Sequence, residues 1–247
     1  MGETSLQTLW ESAPPRTTLF HSGLISRLPQ NAQSYLRWAI EEGTPFPTIT
    51  RLTMSGEIRL KSWAKFEATE WLHSSQGFEW SARTKVQSLP VSGADRLILG
   101  QGEMAWKILG LIPLMKASGP DITKSAAGRY AGELCWLPPA LLGTQVRWEA
   151  DRPGQARALI SVAGAKVPVA FEIEPNGRLR GCSIARWGEV PGEGFKERTF
   201  RVVVEETGAF DGFRIPTKIS AGWAESDQEF GENGEFFRAQ IERAEYR

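Results

Sequence analysis

The sequence predicts an α+β fold: one strongly curved antiparallel β-sheet, a half-barrel of about a dozen strands, packed on one face by a few helices. Three observations point there. From Ile49 onward apolar residues recur at every second position in segment after segment, at intervals of about ten residues, the rhythm of an antiparallel meander. Asn176-Gly177, Asp211-Gly212 and Asn233-Gly234 are dipeptides that two-residue hairpins favour. Only two long segments carry helical spacing, so helices can cover one face of such a sheet and not both. A sheet this wide must close, curl or fold over. Sequence alone leaves open whether its concave face is filled solidly or encloses an apolar cavity.

Taken in order, residues 1–29 are polar and proline-bearing and predict an irregular N-terminal arm, packed through Phe20, Leu24, Ile25 and Leu28. Residues 30–247 form the single half-barrel domain. Asn31 is the expected cap of a first helix, AQSYLRWAIEE, with Tyr35, Leu36, Ala39 and Ile40 as its apolar stripe and Gly43, Pro45 and Pro47 as its stop. ITRLTMSGEIRL, FEATEWLH and GFEWSARTKV then alternate as strands, with turns expected near Ser74 to Gly77 and near Leu89 to Ala94. DRLILGQGEMAWKILGLIPLMKAS reads as strands broken at Gly100, Gly102 and Gly110. Seven more alternating segments follow a central helix, from TQVRWEAD to EFFRAQIERAEY. On the inward face Trp71, Phe78, Trp80, Trp106 and Trp148 are the bulky candidates. The alternating acids Glu57, Glu67, Glu70, Glu79 and Glu103 are expected to face solvent.

The central helix lies in SGPDITKSAAGRYAGELCWLPP and is expected from Ile122 to Trp136, with Asp121 as its cap and Pro138-Pro139 as its stop. Ile122, Ala126, Tyr130 and Leu134 share one face, with Arg129 and Glu133 beside them as an i,i+4 pair. Gly128 and Gly132 are in register on another face, where a strand or helix is expected to pack closely. The ion pair has three readings: a solvated pair at the border of the core, a buried pair that docks helix to sheet, or a polar anchor in an apolar pocket.

Composition narrows the function classes. Lys plus Arg equals Asp plus Glu, 29 each, so no net field steers the chain toward nucleic acid or an anionic membrane. No apolar run is long enough to span a bilayer, and the N-terminus lacks a signal-peptide core, which makes the cytoplasm the expected compartment, with export of a processed form left open. Cys135 and Cys182 are two cysteines only, read as small buried residues in a reducing compartment. His21 and His73 have no metal-ligand spacing, and no phosphate loop, dinucleotide fingerprint or nucleophile elbow occurs, so no metal or cofactor is expected. Arg186, next to Trp187 at a strand end, is either a pocket rim or a plain terminus. Ten Trp and twelve Phe against three Tyr suit a large apolar core or a lined pocket.

LPQNAQSYLRWAI with GTPFP, MSGEIRL, GFEW, SGADRLILGQGEMAWKILGLIP, the 118–142 block, VRWE, RWG, GFRIPT and GEFFRA together resemble a bacterial domain family of unknown function. Ser125, Arg129, Glu133, Trp136, Pro138 and Leu141 stand at that family's pattern positions, and Tyr130 departs from it. The resemblance implies a half-barrel similar to bacterial lipoprotein carriers and implies no reaction. The resulting expectation is a protein that binds an apolar small molecule or lipid between sheet and helices, in a site of Trp80, Trp106, Arg129, Tyr130, Glu133, Trp136 and Trp148. The alternative is a cofactor-free cyclase, isomerase or hydrolase in the same cavity, with Glu133 as acid or base and Arg129 as its partner. No coiled coil or peptide groove marks an interaction module, and the oligomeric state is not legible.

Overall fold

The period-two segments become strands of a single sheet in the computed structural model, which describes residues 5–150, 152–190, 192–224 and 230–247, the last with backbone only at 231–233. Two helices come first, α1 (Leu6–Glu11) and α2 (Gln30–Ala39). A first run of strands follows: β1 (Ile49–Arg59), β2 (Trp63–His73), β3 (Gly77–Val86), β4 (Leu89–Ile98), β5 (Gln101–Ile108) and β6 (Ile112–Ser118). Helix α3 (Pro120–Glu133) leads to a second run: β7 (Val146–Trp148), β8 (Gln155–Val162), β9 (Ala165–Ile173), β10 (Leu179–Val190), β11 (Gly194–Phe210), β12 (Phe213–Ala224) and β13 (Phe230–Tyr246).

Each run is an antiparallel meander, and the two are zipped together along their far ends. The sheet order is β6-β5-β4-β3-β2-β1-β13-β12-β11-β10-β9-β8-β7. The seam pairs β1 with β13, Thr50 facing Tyr246 and Ile58 facing Phe237. Helix α3 connects the two outermost strands and lies inside the curl, against β10, β9, β5 and β4. The curved sheet therefore holds the helix rather than merely carrying it on one side.

Turn chemistry explains most reversals. Asp211 and Gly212 both take positive φ, 47° and 85°, as a type I′ hairpin requires. Asn176-Gly177 turns β9 into β10, closed by the Gly177 amide on the Glu174 carbonyl. Asn233-Gly234 does not turn: its backbone continues in β13, where the register with β12 shifts between Gly222 and Ala224 and the two chains approach at Gly222 and Gly234. The side chain of Asn233 lies outside the described residues. The turn expected at Leu89 to Ala94 falls earlier, at Gln87 and Ser88, both with positive φ, so Leu89 already opens β4. Gly100 and Gly110 do end strands, whereas Gly102 lies within β5, close under the backbone of Thr123.

The N-terminal arm is more ordered than its polarity suggests. Ser5 caps α1 by accepting from the Thr8 amide. Leu6 and Trp10 of that helix pack on the convex face of the sheet over Ile49 and Trp71, the two indoles edge to face at 5.4 Å. Trp71 is therefore an outer-face residue, not an inward one, because it alternates with the buried Glu70 and Leu72. Phe20 and Ile25 are buried and Leu28 packs against the core, but Leu24 is exposed. Asn31 is not a cap. Pro29 fixes the entry to α2, and the Asn31 amide instead donates to the carbonyls of Arg152 and Gln155, both at 2.8 Å. The stripe Tyr35, Leu36, Ala39 and Ile40 is buried as expected, with Ile40 already extended and bridged to Phe213.

Candidate functional site

Helix α3 begins two residues earlier than its sequence suggests. Gly119, at φ 109°, supplies the non-helical step, Pro120 occupies the first helical position, and Asp121 in the first turn accepts from the Trp187 indole at 2.8 Å instead of capping. The helix ends at Glu133 and tightens into a 3₁₀ turn, Leu134–Trp136. Its register glycines meet β10: a Cβ on Gly128 would come within 2.8 Å of Arg186 Cγ, and one on Gly132 would collide with the Ile184 side chain. This close approach brings the helix, and the two charges at positions 129 and 133, to the wall of the concave face.

Arg129 is the hub of a buried charge cluster. Its Nε donates to Glu133 Oε1 at 2.5 Å, Nη1 reaches Asp95 Oδ2 at 3.4 Å, and Nη2 stands 3.8 Å from Glu70 Oε2. The guanidinium also lies over Phe78 at 4.6 Å and Trp80 at 5.1 Å. Burial alone would depress Arg129, yet Glu133, Glu70 and Asp95 together hold it above its ordinary range. Glu70 is strongly displaced from its ordinary range. Its side chain is 1% exposed, neither carboxyl oxygen meets a donor, and burial followed by the neighbouring Glu133 carboxylate pushes its pKa well up, against the pull of Arg129. Two carboxylates cannot hydrogen-bond to each other while both are ionised, so a proton on Glu70 supplies the missing donor toward Glu133. Asp95 is also raised by burial, offset by Arg129 and by the Trp106 indole that donates to Oδ1 at 2.9 Å.

Beside this cluster lies a cavity of about 270 Å³. Its walls are Met54 and Ile58 of β1, Ile184 of β10, Phe200, Val202 and Val204 of β11, Ile219 of β12 and Phe237 of β13. Glu70, Asp95, Arg129 and Glu133 close one side, and Arg186 stands on another. Cys135 and Cys182 border it as free thiols, both pushed up by burial, Cys182 to about 12.

Four of the seven predicted site residues line this space: Trp80, Arg129, Glu133 and Trp136, the last donating its indole N–H to the Pro216 carbonyl. Three do not. Tyr130 points away, its hydroxyl bonded to the His73 carbonyl at 3.0 Å. Trp148 packs on Phe171 and donates to the Leu141 carbonyl, within the solid half of the core. Trp106 stands behind Trp80, 5.8 Å between centroids, and positions Asp95. Sequence reasoning also missed Glu70, which does not face solvent, as well as Asp95. The signal was present: Glu70 shares the parity of Phe66, Ala68 and Leu72 on β2, and Asp95 that of Val91 and Leu97 on β4. His73 serves its turn, Nδ1 accepting from the Ser75 and Gln76 amides, and burial lowers its pKa to about 4. Among the described residues no cluster of side chains has the makeup of a metal site, and no helix is long and apolar enough to cross a membrane.

The profile of a family of unknown function, DUF6544, matches residues 18–234. The chain belongs to this family. No curated protein matches the sequence. Among solved structures, the DUF6544 chain is similar to a LolA superfamily protein from Nitrosomonas europaea, at 9% identity and TM-score 0.48, with 90% of this chain and 94% of that one covered. It is also similar to an outer membrane lipoprotein-sorting protein domain from Vibrio parahaemolyticus, at 8% identity and TM-score 0.44, covering 81% and 86%. A third likeness is to a DUF1329 family protein from Desulfovibrio piger, at 8% identity and TM-score 0.39, again covering 81% and 86%.

Proposed function

We propose that this protein binds an apolar small molecule or lipid in the cavity between the curved sheet and α3. The observation that carries the reading is the cavity itself: about 270 Å³, walled mainly by aliphatic and aromatic side chains, with charged groups confined to its borders. An apolar void of roughly 150 Å³ already takes up benzene, so a void of this size suits a longer hydrocarbon. A few polar groups in an oily wall are the usual means of orienting such a ligand. Native mass spectrometry of the purified protein, with tryptophan fluorescence during titration by fatty acids, prenyl lipids and sterols, tests it. Trp80 and Trp136 on the wall are the expected reporters. Absence of both co-purified and titratable ligand sinks the reading.

One observation favours a second reading, a cofactor-free enzyme in the same cavity. Burial and the adjacent Glu133 raise the pKa of Glu70, which borders the cavity, and this favours Glu70 as a proton donor in such a reaction. This assigns the acid to Glu70 rather than to Glu133. In a preparation that turns over such a substrate, full activity of a folded Glu70→Gln variant removes it.

A further inference from the structure

The cavity touches two guanidinium groups with different surroundings. Arg129 is consumed by Glu133, Asp95 and Glu70. Arg186 has no carboxylate within ion-pair distance among the described residues. Among the described residues its one hydrogen bond is long, from Nε to the Ser125 carbonyl at 3.4 Å, and neither Nη meets an acceptor. Its guanidinium lies against two aromatic rings that pack edge to face on each other, Phe200 at 4.7 Å and Trp223 at 5.7 Å. The two Nη groups, which meet no acceptor among the described residues, are the side chain's unused edge. Gly128 makes room for the arginine stem, and the Arg186 side chain lines the cavity.

Resting on the cavity reading above, we propose that Arg186 is the head-group seat for a single-tailed anionic amphiphile, an alkyl carboxylate or alkyl phosphate. The tail fills the space among Met54, Ile58, Val202, Val204, Ile219 and Phe237. A planar guanidinium with two free Nη groups matches a carboxylate or phosphate edge in a bidentate fork. Arg198 also lies over the Trp223 ring, at 4.7 Å, and adds positive charge on this side. Arg129 offsets one of the two carboxylate charges of Glu133 and Asp95 that it contacts, and burial raises both Asp95 and Glu70 toward their neutral forms, which lessens the repulsion of an incoming anion. Burial lowers Arg186 to about 10, Arg129 adds to this and Glu133 and Asp95 offset only part of it, so the group remains a cation at neutral pH and gains by acquiring a closer counter-ion.

The test titrates the full chain with decanoate, decyl phosphate and decan-1-ol, reading heat and tryptophan fluorescence. Wild type is expected to bind at least one of the two anions tenfold or more tighter than the alcohol, and the stronger anion identifies the head chemistry. Arg186→Met is expected to erase that preference while still binding decan-1-ol, and Arg186→Lys to keep part of it. Equal affinity of wild type for the alcohol and both anions overturns the proposal and leaves the cavity reading standing, as does a folded Arg186→Met variant that keeps the preference. No binding of any of the three to wild type overturns both. Circular dichroism and thermal melting verify folding; should Arg186→Met not fold, the wild-type ratio together with Arg186→Lys decides.

Discussion

Arg129 and Arg186 both line the cavity, yet one is an internal fixture and the other an open valence. Arg129 projects from α3 into three carboxylates contributed by β2, β4 and the helix itself. Arg186 projects from β10 against a pair of rings, with one weak backbone contact among the described residues. The difference teaches that burial of a charge does not mark a ligand site; what matters is whether the fold has already supplied the counter-charge. A buried cation in a full cluster holds helix to sheet, and breaking it leaves charges stranded. A cation lacking an anion in an oily cavity keeps its binding capacity for something else.

Removing the paired arginine is the strongest way to break this comparison. Arg129→Met strands the Glu133 and Asp95 carboxylates in the interior and is expected to cost about 3–5 kcal/mol of stability, read by urea unfolding. Arg186→Met is expected to cost far less in the same assay, because no ion pair is lost. A cost for Arg186→Met equal to that for Arg129→Met would abolish the distinction.

Glu70→Gln probes the carboxyl side of the cluster. Because Glu70 has a folded pKa raised above its ordinary 4.5, its contribution to stability is complete below that pH and is lost as pH rises toward the folded value. The glutamine variant carries no such penalty, so its advantage over wild type should grow with pH above about 4.5. The difference between the two curves is the quantity to measure, since His73, lowered from 6.5 to about 4, adds an opposite slope to both by losing its stabilising neutral form as pH falls. A difference that is flat from pH 4 to 8 contradicts a protonated Glu70.

Tyr130→Phe removes the bond to the His73 carbonyl and is expected to cost about 1 kcal/mol, with no change in ligand affinity because Tyr130 faces away from the cavity. Gly128→Ala should alter stability least, within about 1 kcal/mol, as helix propensity gained offsets the crowding of Arg186. It should still weaken anion binding measurably, since the new methyl group displaces the guanidinium stem. Affinity for decanoate in Gly128→Ala equal to wild type would detach the arginine's position from the helix packing.

Local chemistry made a large share of this molecule readable. Alternation located the strands, Asp211-Gly212 and Asn176-Gly177 located two turns, and helical spacing with Pro138 placed α3 to within a few residues. Strand parity even carried the inward direction of Glu70 and the outward direction of Trp71, and was overruled by the assumption that acids face water and indoles face the core. Period and turn preference are encoded within a few residues, so the sequence by itself determined the elements and which side chains share a face. The tertiary structure decided the rest: that β1 pairs with β13 across almost the whole chain, that α1 covers Trp71, that Asp95 and Glu70 converge on Arg129, and that Arg186 does not receive a carboxylate. These depend on contacts between segments far apart in sequence, where each charge's partner is set by the curvature of the sheet around α3 and by no local pattern.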